Sequence, residues 1–109
     1  TIDKSIVSVI ADVNGTQVTG QYIPGATVKY SVLVTVTSGT AESLEIIDAL
    51  PADVTFVANT LVQQIDGTGG YIAVPPASGG YDSNTHKVSV NFGDSAVGTY
   101  EIQLDATIN

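Results

Sequence analysis

The chain has no cysteine, methionine, tryptophan or arginine, and among its 109 residues only one histidine and three lysines. Lack of cysteine removes disulfide frameworks, thiolate zinc sites, iron–sulfur clusters and thiol nucleophiles. It also suits an exported bacterial protein that avoids mispaired thiols. Three cations against 11 acids leave a net charge of −8. Nucleic-acid binding needs a cationic footprint that displaces counterions, so it is opposed, and adsorption to anionic lipid is opposed for the same reason. No apolar run approaches the roughly 20 residues that span a bilayer, so direct membrane insertion is not expected. No signal-peptide pattern is present. Residue 1 already lies within a patterned segment, so the chain reads as a mature fragment or an excised domain.

Charged residues make up 13% of the chain and apolar residues 43%. The first is well under the usual quarter and the second near normal, which is too aliphatic for disorder. A chain of this length can close one core without covalent staples. One domain over residues 1–109 is expected.

The dominant pattern has period two. In segment 26–37, Ala26, Val28, Tyr30, Val32, Val34 and Val36 fall on one face. Thr27, Lys29, Ser31, Thr35 and Thr37 fall on the other, with Leu33 the single intruder. Tyr100, Ile102, Leu104, Ala106 and Ile108 repeat the alternation, as do Val88, Val90 and Phe92. These are half-buried strands. Segment 4–13 carries apolar groups at both parities, which points to a strand covered on both sides or shared between sheets. Asn14-Gly15 reads as a hairpin turn, 16–23 as a short edge strand, and Pro24-Gly25 as a turn with Pro at its first corner and Gly at its second. Ser38-Gly39-Thr40 is a further turn. Strands are expected at 43–48 and 54–65, with a bend at 50–53. The irregular stretch 66–85 contains Gly-Gly-Tyr twice, ten residues apart. β-Branched residues and threonine dominate and no helical stripe appears. The expected fold is all-β, an immunoglobulin-like antiparallel β-sandwich of about seven strands.

Pro24-Gly25-Ala26-Thr27-Val28-Lys29-Tyr30, then Asp48-Ala49-Leu50-Pro51-Ala52 with Val54-Thr55-Phe56-Val57, and finally Val90-Asn91-Phe92-Gly93, make up a further pattern. Over about residues 2–108 the chain resembles the bacterial and archaeal surface-protein repeat called domain of unknown function eleven. That repeat carries Pro-Gly-x-x-Val-x-Tyr and Asp-x-Leu-Pro-x-Gly-x-x-Phe-Val. The chain departs from it at Val36, where the repeat often has an Asn before its turn, and at Asp53, which stands in place of Gly. The resemblance implies an immunoglobulin-like domain, often in tandem within large exported proteins, with a spacer, stalk or adhesive role and no catalysis. The expected partners are neighbouring repeats of the same chain and a surface glycan or protein, and the expected location is extracellular. An odd number of sandwich strands independently sends the first and last strands in the same sense, so that copies can be strung head to tail.

Chemistry is sparse. His86 has no nucleophile elbow near it and reads as a solvated or hydrogen-bonded histidine. Glu45 with Asp48, and Glu101 with Asp105, are the nearest approach to paired carboxylates and read as solvated faces. No cofactor is required. Calcium needs six to eight oxygen ligands, and Asp66, Asp82, Asn84 and Asp94 in or beside loops are weak candidates whose simpler role is turn capping. Ligand binding is best placed on 66–85, where Tyr71 and Tyr81 sit beside double glycines with Asp82 and Asn84 following. The plainer reading is that both rings close over a sandwich edge. Asn14-Gly15-Thr16 is formally a glycosylation sequon. An internal amide cross-link is a further option, since immunoglobulin-like surface domains sometimes carry one. Lys4 matches the early-strand lysine of the resembled repeat, with Asn109 or Asp48 as its partner.

Overall fold

The computed structural model describes residues 2–13, 16–20, 22–65 and 68–109, all as strands and connections without helix. Ten strands are present among these residues: β1 (Ile2–Val13), β2 (Thr16–Thr19), β3 (Thr27–Val36), β4 (Ala41–Ala49), β5 (Val54–Phe56), β6 (Val62–Ile65), β7 (Thr68–Ala73), β8 (Gly79–Asp82), β9 (Lys87–Ser95) and β10 (Gly98–Ile108). They form an immunoglobulin-like antiparallel sandwich. The larger sheet runs β2-β1-β3-β10-β6-β7, with β5 also pairing β10, and the smaller runs β4-β9-β8.

The period-two segments make the centre of both sheets. Val28, Tyr30, Val32 and Val34 of β3 are buried and lie opposite Ala106, Leu104, Ile102 and Tyr100 of β10. Val88 and Val90 of β9, with Ile46 of β4, cover them from the smaller sheet. Directly opposed residues share a face in an antiparallel pair, so even-numbered positions of β3 and β10 build the core together. Six of the core side chains are almost wholly excluded from solvent: Ile46, Ile102, Leu104, Val28, Val88 and Val90. Burying each such aliphatic group contributes about 1.5–3 kcal/mol.

The Pro24-Gly25 turn closes as its sequence predicts. The Ala26 N–H donates to the Ile23 carbonyl at 3.0 Å, and Gly25 takes φ +89°. A positive φ at the second corner is what glycine supplies without steric cost.

Two strand expectations change. Segment 4–13 is not covered on both sides. β1 pairs with β3 as Lys4↔Val32 and Ile6↔Tyr30, then resumes as Val9↔Val28 after a register shift between Ile6 and Ser8. A β-bulge adds one residue and exchanges the two faces. Even positions therefore face the core side before Val7 and odd positions after it. Val9 and Ala11 are buried, while Ile6, Val7 and Ile10 are exposed. The two-sided apolar pattern is thus a change of parity. Segment 54–65 is not one strand but β5 and β6, both paired with β10. Between them Asn59 takes φ +66°. Across this kink the Thr60 hydroxyl donates to the Val57 carbonyl at 2.7 Å and accepts from the Asp105 N–H at 3.0 Å, replacing a ladder bond. The stretch 66–85 adds β7 to the larger sheet and β8 to the smaller. Asn14-Gly15 lies outside the described residues.

The register also places the chain ends. β1 and β10 are each antiparallel to β3, so they are parallel to one another. Ile2 sits beside Val34 and Ile108 follows Thr107, which sits beside Thr27 at the other end of β3. The two ends therefore leave from opposite ends of a body measuring 51 × 29 × 21 Å.

Candidate functional site

The residues singled out by sequence fall into three places. The first is the junction at Tyr81. Tyr81 is half-buried on β8, and its ring stacks on Phe56 of β5 at 4.8 Å and 18°. Its hydroxyl lies 2.6 Å from His86 Nδ1. His86 Nε2 is 2.8 Å from the Pro51 carbonyl. A carbonyl only accepts, so Nε2 carries the proton and Nδ1 accepts from the Tyr81 hydroxyl. Both ring nitrogens are engaged, which leaves His86 tying the bend after β4 to the end of β8. Glycine is required beneath this junction, because a methyl at Gly79 would overlap the Ser89 carbonyl of β9. The close strand approach and the two adjacent rings leave an open apolar recess of about 280 Å³, bordered by Phe56, Tyr81, Val74, Pro76, Gly79 and Gly80.

Tyr71, the other Gly-Gly-Tyr ring, is not there. It lies on β7, 44% exposed, over the outward face of the larger sheet. Its hydroxyl donates to Glu101 Oε1 at 2.7 Å. Ser31 Oγ donates to Glu101 Oε2, and Gln103 Nε2 donates to that oxygen and to the Tyr71 hydroxyl, each at 3.0 Å. Beside them Lys29 pairs with Asp105 at 2.8 Å, directly opposite each other in the β3–β10 register. Glu101 and Asp105 are therefore members of a cross-strand polar network rather than simply solvated acids. Burial pushes the Glu101 carboxyl upward, but the bonds from Ser31, Tyr71 and Gln103 together hold it below its ordinary value. The bond to Glu101 first, then burial and the Glu101 charge, pushes the Tyr71 phenol up, against the opposing bond from Gln103. The network's members share outward parity in their strands. The order β3-β10-β6-β7 within one sheet, which joins segments far apart in the chain, was the missing information.

The third place joins the two sheets. Asp48 is core-facing on β4 and only 5% exposed, on the same parity as Ile46. A solvated face is the wrong description for it. Glu45, by contrast, is exposed on the opposite face. Lys4 of β1 reaches across to place Nζ 2.7 Å from Asp48 Oδ1, with its side chain 36% exposed. The ammonium also sits 4.8 Å from the centre of the Tyr30 ring, a cation–π contact. Burial first, then the negative charges of Asp53 and Asp48 and the neighbouring Tyr22, pushes the Tyr30 phenol up. Asn109 is far from Lys4, at the other end of the sheet, where its Oδ1 accepts from Thr55 Oγ1 at 2.6 Å. Sequence parity with Ile46 was the one signal that Asp48 faces inward.

Among the calcium candidates, Asp82 Oδ1 accepts the Asn84 N–H at 2.9 Å, the turn-capping arrangement. Asp94 lies on β9, and Asp66 is outside the described residues. No three acids or histidines among the described residues converge on one point. Sequence reading placed Tyr100 on the apolar face of its strand but not its corner contact: the buried ring packs 5.4 Å from Phe92 and the hydroxyl donates to the Ala96 carbonyl at 2.8 Å. It pins the corner where the chain passes from β9 back to the larger sheet. A core-facing tyrosine must place its hydroxyl somewhere, which was the available signal. No helix among the described residues is long and apolar enough to cross a membrane. Comparison with family models, curated proteins and solved structures finds no match for this chain.

Proposed function

We propose that this domain is a non-catalytic structural and interaction module, a spacer, stalk or adhesive repeat of a prokaryotic cell-surface or secreted protein. The observation that carries this reading is the placement of its ends: β1 and β10 run parallel on either side of β3 and leave the sandwich at opposite ends of that strand. Copies joined in series would extend rather than fold back. Tension applied at those ends pulls β1 and β10 in opposite directions along their length. The ladder bonds lie across the strands, so many would be loaded together in shear. A net charge of −8 keeps neighbouring copies soluble and apart.

The test is the length of two and four copies in tandem, measured by small-angle scattering. The maximum dimension should rise in proportion to the number of copies. Compact clustering of the copies would overturn the spacer reading.

A second reading is favoured by the recess at Tyr81. Stacked Phe56 and Tyr81 rings beside an adaptable glycine backbone provide the apolar platform on which a sugar face or an apolar peptide side chain packs. Glycan-array binding that disappears in Tyr81→Ala would establish this role. An array without hits leaves the spacer role to stand alone.

A further inference from the structure

The Lys4–Asp48 pair differs from the Lys29–Asp105 pair in ways that bear on covalent chemistry. Lys29 and Asp105 face each other on one sheet, and Asp105 retains 24% exposure. Lys4 and Asp48 belong to different sheets, Asp48 is 5% exposed, and its second oxygen, Oδ2, is buried with no hydrogen-bond partner. A buried carboxylate oxygen without a donor is costly. The Tyr30 ring lies against the ammonium, and the amine nitrogen is held at 2.7 Å from the carboxyl group. Fixing nucleophile and electrophile at contact distance supplies the large effective concentration that a condensation needs.

We propose that Lys4 and Asp48 are joined by an intramolecular amide that ties β1 of the larger sheet to β4 of the smaller. The ammonium carries three protons. One passes to the carboxylate, and the resulting amine attacks Cγ, forming the Nζ–Cγ bond. A second proton leaves nitrogen for the departing oxygen, the Cγ–O bond breaks, and one water is released. Nitrogen keeps the third proton as the amide N–H. No oxidant, metal or added group takes part. The product removes both charges from the sheet interface and replaces an unsatisfied carboxylate with a neutral amide. It also closes residues 4–48 into a covalent loop, so that tension entering at β1 bypasses segment 5–47.

The inference does not rest on the spacer reading and is decided by mass. The intact protein should weigh one water less than its sequence. After denaturation, trypsin should cut at Lys29 and Lys87 but not at Lys4, leaving 1–29 branched to 30–87. Dehydration elsewhere, such as at an Asp-Gly step, would leave Lys4 cleavable. Lys4→Arg retains a cation beside Asp48 but lacks the amine, and should show the full sequence mass, as should Asp48→Ala. In single-molecule extension the wild-type protein should lengthen by about 150 Å less than Lys4→Arg, the reach of the enclosed segment. A wild-type protein at full mass, cleaved normally at Lys4, overturns the proposal.

Discussion

The two Gly-Gly-Tyr copies begin from the same three residues and end in unlike surroundings. In the first, Tyr71 lies on the outer face of the larger sheet and keeps 44% of its surface exposed, its hydroxyl bound to Glu101. In the second, Tyr81 is half-buried between the sheets, stacked on Phe56 and bonded to His86. Their glycines differ as well. Gly70 takes φ +72° with open space around its Cα, whereas Gly79 is pressed against the Ser89 carbonyl. Local sequence made both segments extended, but the neighbouring strand decided where each ring went. β7 pairs β6 on the larger sheet and β8 pairs β9 on the smaller. The repeat is one of composition and not of role.

This contrast can be broken most severely at Tyr81. Tyr81→Ala removes the partner of Phe56 and the hydroxyl bonded to His86, and should destabilise the fold by about 2–4 kcal/mol. Urea denaturation read by tyrosine fluorescence or circular dichroism measures it. Tyr71→Ala should cost less than half as much, since that ring is largely solvated. Equal losses would mean that both tyrosines close the sandwich alike.

Gly79→Ala comes next, at about 1–3 kcal/mol, because an added methyl must push β8 away from β9. Gly80→Ala has open space and should stay within about 0.5 kcal/mol. Amide exchange should show the Gly79 effect as loss of protection in β8 and β9, with β7 unchanged. Protection lost equally in β7 would mean that the two copies are mechanically coupled.

The comparison also shows what could be read in advance. The alternation over 26–37, 87–92 and 99–108 and the Pro24-Gly25 turn are local, and they mark the bodies of β3, β9 and β10 and the turn before β3. The β1 bulge and the break at Asn59 and Thr60 are set by the register against β3 and β10. Neither leaves a mark that alternation alone can decode. The same limit applies to the sites. Parity alone places Asp48 with Ile46, but only sheet stacking brings Lys4 to it. Ser31, Glu101, Gln103 and Tyr71 are individually unremarkable polar residues, and strand order makes them a network. Asp82 and Asn84 needed no such information, since an Asx turn closes within three residues.

The smallest effect sharpens the comparison through pH. Glu101 has its carboxyl pKa below the ordinary 4.5 in the folded state. A depressed carboxyl contributes stability that is fully present above its unfolded pKa and is lost as pH falls through the folded value. The wild-type protein should therefore lose part of its stability as pH drops below about 4.5. Tyr71→Phe removes one of the three side chains that donate to Glu101. At neutral pH it should cost only about 0.5 kcal/mol, as expected for an exposed bond. In acid the difference from wild type should shrink, because protonated Glu101 no longer holds the Tyr71 hydroxyl as strongly. Tyr100→Phe should show no such convergence at pH 3–4 relative to pH 7, because its hydroxyl donates to the Ala96 carbonyl, which does not titrate. Melting curves of both variants and wild type across that range make the test. Parallel curves for Tyr71→Phe would mean that its hydroxyl does not help to depress Glu101, leaving Ser31 and Gln103 as the donors that do.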